Sequence, residues 1–162
     1  MTPPRIFGVT GWKNAGKTTL TERLVAEFVR RGWRVSTIKH AHHDIDIDRP
    51  GTDSYRHRAA GAGEVALVGG RRYAIMRETP EPSLSEVLAR LAPADLLLIE
   101  GYKREPHLKI EVRASPEAEP LAPSDPAIVA IAADVRPVEG DLPWFRRDDI
   151  VAIADLIAAK TS

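Results

Sequence analysis

The chain has 162 residues, enough for one domain with a substantial core, and a single domain over residues 1–162 is expected. Hydrophobic residues make up 43% and charged residues 28%, which excludes a disordered or fibrous chain. Lys plus Arg and Asp plus Glu each total 23, so net charge gives no argument for a nucleic-acid or membrane-surface partner. There is no cysteine, which removes disulfide and thiolate chemistry and fits a reducing cytoplasm. The start, Met1-Thr2-Pro3-Pro4-Arg5, lacks the apolar core of a signal peptide, and no apolar run approaches membrane-spanning length. A soluble cytoplasmic protein is the expectation. Thirteen prolines, many between Pro80 and Pro143, read as long surface loops in the second half.

Residues 5–10 read as a buried strand, and the next segment, Gly11-Trp12-Lys13-Asn14-Ala15-Gly16-Lys17-Thr18, fits G-x-x-x-x-G-K-[ST]. A strand before it and a helix after it are the context in which this pattern cradles phosphates. The glycines let successive backbone N–H groups converge on an anion, and the positive end of the following helix adds to their pull. Lys17 is placed to reach the β- and γ-phosphates and Thr18 to offer its hydroxyl to Mg²⁺. Thr19 is placed to meet the α-phosphate. The helix is expected over about Lys17–Arg31. Leu20, Leu24, Val25 and Phe28 face inward; Glu22, Arg23, Glu27 and Arg30 face outward; Gly32 caps the end. Trp33–Lys39 completes a βαβ opening, which implies parallel strands.

After that strand, His40 to Asp48 holds three His and three Asp in nine residues. At the carboxyl end of a parallel strand such a cluster is expected on the side of the ligand crevice. Its spacing is not a zinc arrangement and lacks a helical i, i+4 histidine pair, so a nucleotide or Mg²⁺ switch region and a solvated loop stand beside a metal site as readings. Asp44, in this run, is the candidate catalytic carboxylate. Thr52 is placed to cap a short helix, Asp53–Ala60, with Tyr55, Arg56, His57 and Arg58 as a polar surface. Glu64–Val68 and Arg72–Met76 read as a hairpin around Gly69-Gly70-Arg71.

Ser83-Leu84-Ser85-Glu86 has capping-box spacing before a helix that Pro93 ends. Leu96–Ile99 is a continuous apolar run closed by Glu100, the pattern of a central strand with an acid at its carboxyl end. That is where P-loop NTPases hold the Mg²⁺ shell, so Glu100 is the metal candidate. Asp95, about 16 Å away at the other end of the strand, is read as structural. Leu108–Val112 alternates as a half-buried strand, Ser115–Pro126 is a proline-studded loop, and Ala127–Ala132 is a buried strand leading to Asp134. A carboxylate there suits the N1 and N2 donors of guanine and rejects adenine, although the N/T-K-x-D tetrad is absent. Asp148 is expected to cap the last helix, with Ile150, Val151, Ile153, Ala154, Ile157 and Ala158 on its apolar face. The fold class is α/β: a P-loop NTPase fold with a mostly parallel twisted sheet, helices on both faces and a short antiparallel hairpin.

The chain closely resembles the MobB family of molybdenum-cofactor biosynthesis proteins. The resemblance rests on the phosphate loop through Leu20, on Thr37-Ile38-Lys39-His40 with Asp44-Ile45-Asp46, and on Pro50-Gly51-Thr52-Asp53-Ser54. Arg58-Ala59-Ala60-Gly61-Ala62 and Leu98-Ile99-Glu100-Gly101-Tyr102-Lys103 complete it. It implies a homodimeric GTP-binding adaptor with weak hydrolytic activity. Such an adaptor assists the guanylyltransferase MobA in attaching GMP to molybdopterin, with GTP and Mg²⁺ as its ligands and molybdopterin as a further possible one. The implied nucleotide contacts are Asn14, Ala15, Gly16, Lys17, Thr18 and Thr19, with Glu100 near the metal; Gly11, Lys13 and Asp134 complete the candidate set. A second class of function, a P-loop kinase or metal-insertion NTPase, would need the His40–Asp48 cluster as an acceptor or metal site.

Overall fold

The computed structural model describes residues 4–41, 45–138 and 140–162. The chain divides into two compact units, one of residues 1–40 and 92–162 and one of residues 41–91. In the first unit, β1 (Arg5–Thr10), β2 (Val35–Lys39), β5 (Leu96–Glu100), β6 (Lys109–Arg113), β7 (Ile128–Ala133) and β8 (Trp144–Phe145) form one sheet. The order is β2-β5-β1-β6-β7-β8 and every pairing is parallel. The strand that feeds the phosphate loop is therefore central, with the strand ending in Glu100 directly beside it.

Helices α1 (Lys17–Arg30) and α4 (Ile150–Lys160) pack against one face of this sheet. Phe7, Val9, Leu96, Leu98, Ile110, Val112, Ala130 and Ala132 meet Leu20, Leu24, Phe28, Ile153 and Ile157 there in a single apolar cluster. Helix α1 ends where the sequence places its stop. Gly32 takes φ 84°, its N–H donates to Val29 O, and the Trp33 N–H reaches back to Phe28 O, which satisfies the last carbonyls. The Phe28 and Trp33 rings, 4.9 Å apart, close the turn.

The opposite face is polar where β1 meets β6. Gly8 aligns with Lys109 and Thr10 with Glu111. The sequence pattern suggests a half-buried strand at 108–112, yet every residue of β6 is buried, charged ones included. Glu111 takes two bonds from the Arg113 guanidinium and one each from the N–H groups of Leu121 and Ala122, so its charge is fully hydrogen-bonded. Lys109 donates to Glu105 O at 2.6 Å and to Asp125 at 2.8 Å. These bonds hold the 115–127 loop, which contains a short 3-10 turn at Ala122–Ser124, onto the sheet. Alternation misleads at β6 because buried partners replace solvent for its charges.

Three further expectations are corrected. Glu27 is buried, because Arg30 and Arg31 both bind its carboxylate and hold it well below the usual carboxylate range, at about 2. The residue capping α4 is Asp149 rather than Asp148, and it makes no side-chain cap bond. Val151 is exposed, so the apolar face of α4 is narrower than its composition suggests.

The second unit holds α2 (Asp53–Ala59), the hairpin β3 (Glu64–Val68) and β4 (Tyr73–Arg77), and α3 (Leu84–Leu88). Thr52 caps α2 by accepting from the Tyr55 N–H, and Ser83 and Glu86 form the expected capping box on α3. β3 and β4 pair antiparallel, Glu64 opposite Arg77 and Val68 opposite Tyr73. Arg58, expected on a polar surface, is instead half-buried and gathers Asp46, Asp48 and Glu78 at 2.7–3.1 Å. These carboxylates raise its pKa, and Arg58 in turn holds Asp46 below the usual carboxylate range.

Candidate nucleotide-binding site

The loop between β1 and α1 is shaped by contacts that other residues would not permit. A Cβ on Gly11, which has φ 147°, would lie 2.5 Å from Val112 O, so this position admits only glycine. Asn14 takes a left-handed φ of 62° and the Ala15 N–H donates to Trp12 O, turning the chain over Lys13. Lys13, Asn14, Thr18 and Thr19 are exposed, whereas Gly11 and Ala15 are buried. The N-cap of α1 is Gly16, which has no side chain to cap the helix, and no acid occupies the first turn. The first-turn amides therefore have neither a capping oxygen nor a neighbouring acid to compete with an incoming anion.

Lys17 curls back over this cup. Its Nζ donates to Gly11 O at 3.1 Å and Trp12 O at 2.7 Å. Burial lowers its pKa, Glu100 acts in the opposite direction, and the nearby ammoniums of Lys103 and Lys39 lower it further. Three cations thus converge on the loop. Across from them the Thr18 hydroxyl donates to Glu100, 3.1 Å from Oε1 and 3.2 Å from Oε2, and Lys39 lies 3.8 Å from Oε1. A hydroxyl and a carboxylate meeting at the end of the sheet are hard oxygen donors of the kind Mg²⁺ takes. Asp95, at the other end of β5, binds the Arg34 backbone and guanidinium, the structural role expected of it.

Two residues given no role by sequence reasoning, Arg147 beside the loop and Trp12 within it, tie the loop to distant parts of the chain. Arg147, just beyond β8, pairs with the Asp134 carboxylate and also donates to Ala15 O at 3.3 Å. It thereby links the end of β7 to the phosphate loop and holds Asp134 below the usual carboxylate range. Trp12 donates its Nε1 hydrogen to Glu119 O at 2.7 Å, and Lys103 Nζ lies 4.3 Å from its ring centre. Neither contact has a local sequence signature, since each joins distant parts of the chain.

Asp44 lies outside the described residues, as do His42 and His43. Among the described residues no group of three or more His, Cys, Asp or Glu is arranged to hold a metal, and Asp46 and Asp48 are engaged by Arg58. No helix among them is long and apolar enough to cross a membrane.

A central strand, a glycine-shaped loop over a helix N-terminus, a lysine within it and a strand-end acid facing its threonine define the α/β P-loop NTPase fold. The family described as "Molybdopterin guanine dinucleotide synthesis protein B" (MobB) matches residues 6–134. The molybdopterin-guanine dinucleotide biosynthesis adapter protein of Haemophilus influenzae is 40% identical over 94% of this chain and 86% of its own length. The adapter protein of the same description from Escherichia coli is 36% identical, over 94% and 90% respectively. Among solved structures, a MobB homologue from Bacillus stearothermophilus is 32% identical with a TM-score of 0.73, covering 97% of both chains. Bacillus subtilis MobB gives a TM-score of 0.77 at 27% identity over 98% of both. The chain belongs to the MobB family.

Proposed function

We propose that this protein is an adaptor in molybdopterin guanine dinucleotide biosynthesis. In this reading it binds GTP with Mg²⁺ through the β1–α1 loop and assists the guanylyltransferase MobA in the cytoplasm, with weak GTPase activity of its own. The observation that carries the nucleotide part is the convergence of Lys17, Thr18 and Glu100 around a helix N-terminus that carries no acid. In this reading Lys17 and the amides of residues 13–19 hold the phosphates, Gly11 and Asn14 shape the turn, and Thr18 with Glu100 holds the cation. Asp134 reads the guanine edge. The adaptor part rests on family membership.

The β3–β4 hairpin supports a homodimer. Leu67, Val68, Tyr73 and Ile75 are all more than half exposed on this hairpin, and a two-stranded sheet standing by itself in water is marginal. A second copy of the chain covers such a surface with matching apolar side chains.

Calorimetric titration with GTP and ATP, with and without Mg²⁺, tests the nucleotide reading. Turnover assays with and without the guanylyltransferase separate an adaptor from an independent enzyme. Slow hydrolysis alone and a faster guanylyl transfer in the presence of the protein are expected. Rapid phosphoryl transfer to a small acceptor without a partner would reject the adaptor in favour of a kinase. Sedimentation of Ile75→Glu beside the unmodified protein tests the dimer, with a shift to monomer expected.

A further inference from the structure

Directly after Glu100 the chain turns back on itself. Gly101 and Tyr102 take left-handed φ values of 96° and 47°, and the Glu105 N–H donates to Tyr102 O at 3.1 Å. A Cβ on Gly101 would lie 3.0 Å from the Cβ of His40, and Tyr102, which has a Cβ, holds its positive φ at a cost in free energy. This turn brings Lys103 over the phosphate loop, where its Nζ lies 4.3 Å from the centre of the Trp12 ring. The ring is 43% exposed, so it does not serve the core, yet it is fixed in place by the bond from its Nε1 to Glu119 O.

The charges here are unbalanced. The Glu100 carboxylate is already shared, since Lys39 lies 3.8 Å from it and Lys17 is attracted by it as well. Among the described residues Lys103 makes no ion pair, and its ammonium stands close enough to Lys17 to disfavour the charged form there. Three ammoniums around one carboxylate repel one another until an anion enters. The face of an indole holds an ammonium less tightly than phosphate oxygens do, so Lys103 is kept where it can be given up to a better partner.

We infer that Lys103 is a second cationic contact for the terminal phosphate of a bound nucleoside triphosphate, held over the loop by the Trp12 ring until that phosphate arrives. The inference deepens the nucleotide reading proposed above and rests on it. In that reading Thr19 meets the α-phosphate and Lys17 the β- and γ-phosphates, so the phosphate chain runs from the start of α1 toward the start of the loop. Trp12 is the second residue of the loop, and Lys103 above it is therefore at the γ end. A diphosphate stops short of this place and leaves Lys103 on the ring. Trp12 acts as a positioning residue, through Lys103.

The test is titration of the full-length protein with GTP and with GDP, both in Mg²⁺, and of Lys103→Met, Lys103→Arg, Trp12→Leu and the double variant Trp12→Leu with Lys103→Met. Lys103→Met, which keeps an unbranched chain over the ring, is expected to lose about tenfold in GTP affinity while its GDP affinity stays unchanged. Lys103→Arg is expected to keep most of the preference for GTP over GDP. Trp12→Leu is expected to lower that preference by less than Lys103→Met does, and the double variant is expected to lose no more than Lys103→Met alone. Equal losses for GTP and GDP in Lys103→Met would give Lys103 a structural role and overturn the assignment, as would an unchanged ratio. Additive losses in the double variant would remove Trp12 as its holder. Failure of the unmodified protein to bind either nucleotide would overturn the nucleotide reading itself, and this assignment with it.

Discussion

The Thr18 hydroxyl donates to the Glu100 carboxylate across 82 residues of sequence, 3.1 Å from Oε1. It joins the first turn of α1 to the end of β5, the strand paired with β1. Glu100 is buried, so this bond helps to satisfy its carboxylate and at the same time holds two oxygen donors together at the end of the sheet. Glu100→Gln is expected to keep the fold and lose the Mg²⁺ dependence of GTP affinity, read by titration in Mg²⁺ and in EDTA. Full Mg²⁺ dependence in that variant would move the cation to other ligands.

Lys17 spends its ammonium on two loop carbonyls, Gly11 O and Trp12 O, in a partly buried place where its charged form is disfavoured. A triphosphate gives it a better partner than a neutral carbonyl does. Lys17→Ala is expected to weaken GTP binding by about 2–3 kcal/mol through loss of a charge-assisted bond. Calorimetry on the two proteins measures it directly, and unchanged affinity removes Lys17 from the phosphate site.

Asp134 is held by Arg147, which also reaches Ala15 O. In the role of base reader proposed for it, Asp134 pinned to the phosphate loop in this way has a fixed orientation before a nucleotide arrives. Asp134→Asn replaces one acceptor oxygen with a donor, and it is expected to lower the ratio of GTP to ATP affinity. Competition titration of the two nucleotides decides this; an unaltered ratio means that guanine is read by other groups.

The parts of this molecule that were legible in the sequence are those governed by local rules. The loop motif, the Gly32 stop, the Thr52 cap, the Ser83–Glu86 box and the hairpin all follow from residues within a few positions of each other. Strand order placed Glu100 beside the loop because an apolar run ending in an acid has few other homes. Illegible were the long-range ion pairs. Nothing near Arg147 points to Asp134, nothing near Arg58 points to Glu78, and the charges of β6 read as solvent-facing when they are enclosed. Periodicity sees which residues avoid water and is blind to charges that are buried with their partners.

The Glu111–Arg113 pair is the extreme case, with Glu111 wholly buried and accepting four hydrogen bonds. Removing Glu111 takes two bonds from the buried Arg113 guanidinium and leaves the Leu121 and Ala122 N–H groups without their acceptor. Glu111→Leu is therefore expected to destabilise the protein by about 3–5 kcal/mol in urea unfolding, and Glu111→Leu with Arg113→Leu by less. Additive losses in the double variant would mean that the two side chains act independently.

His107 gives the pH dependence. Among the described residues neither ring nitrogen has a hydrogen-bond partner, and the ring lies so close to Gly8 that a Cβ there would come within 2.6 Å of its Nε2. Burial, with the Lys109 ammonium adding to it and Asp125 opposing, pushes its pKa down from 6.5 to about 4. The folded state thus holds a neutral ring while the unfolded chain takes up a proton near its ordinary pKa. Between the two values the unfolded state binds more protons, so stability is full above about pH 6.5 and falls as pH drops toward 4. Allowing for solvent around a partly covered ring, the loss attributable to this group is about 2 kcal/mol. Urea unfolding at pH 7 and pH 5 measures it in the unmodified protein and in His107→Gln, which has no group to titrate there. The unmodified protein is expected to lose more stability on acidification than the variant, and equal losses would assign the acid sensitivity to other residues.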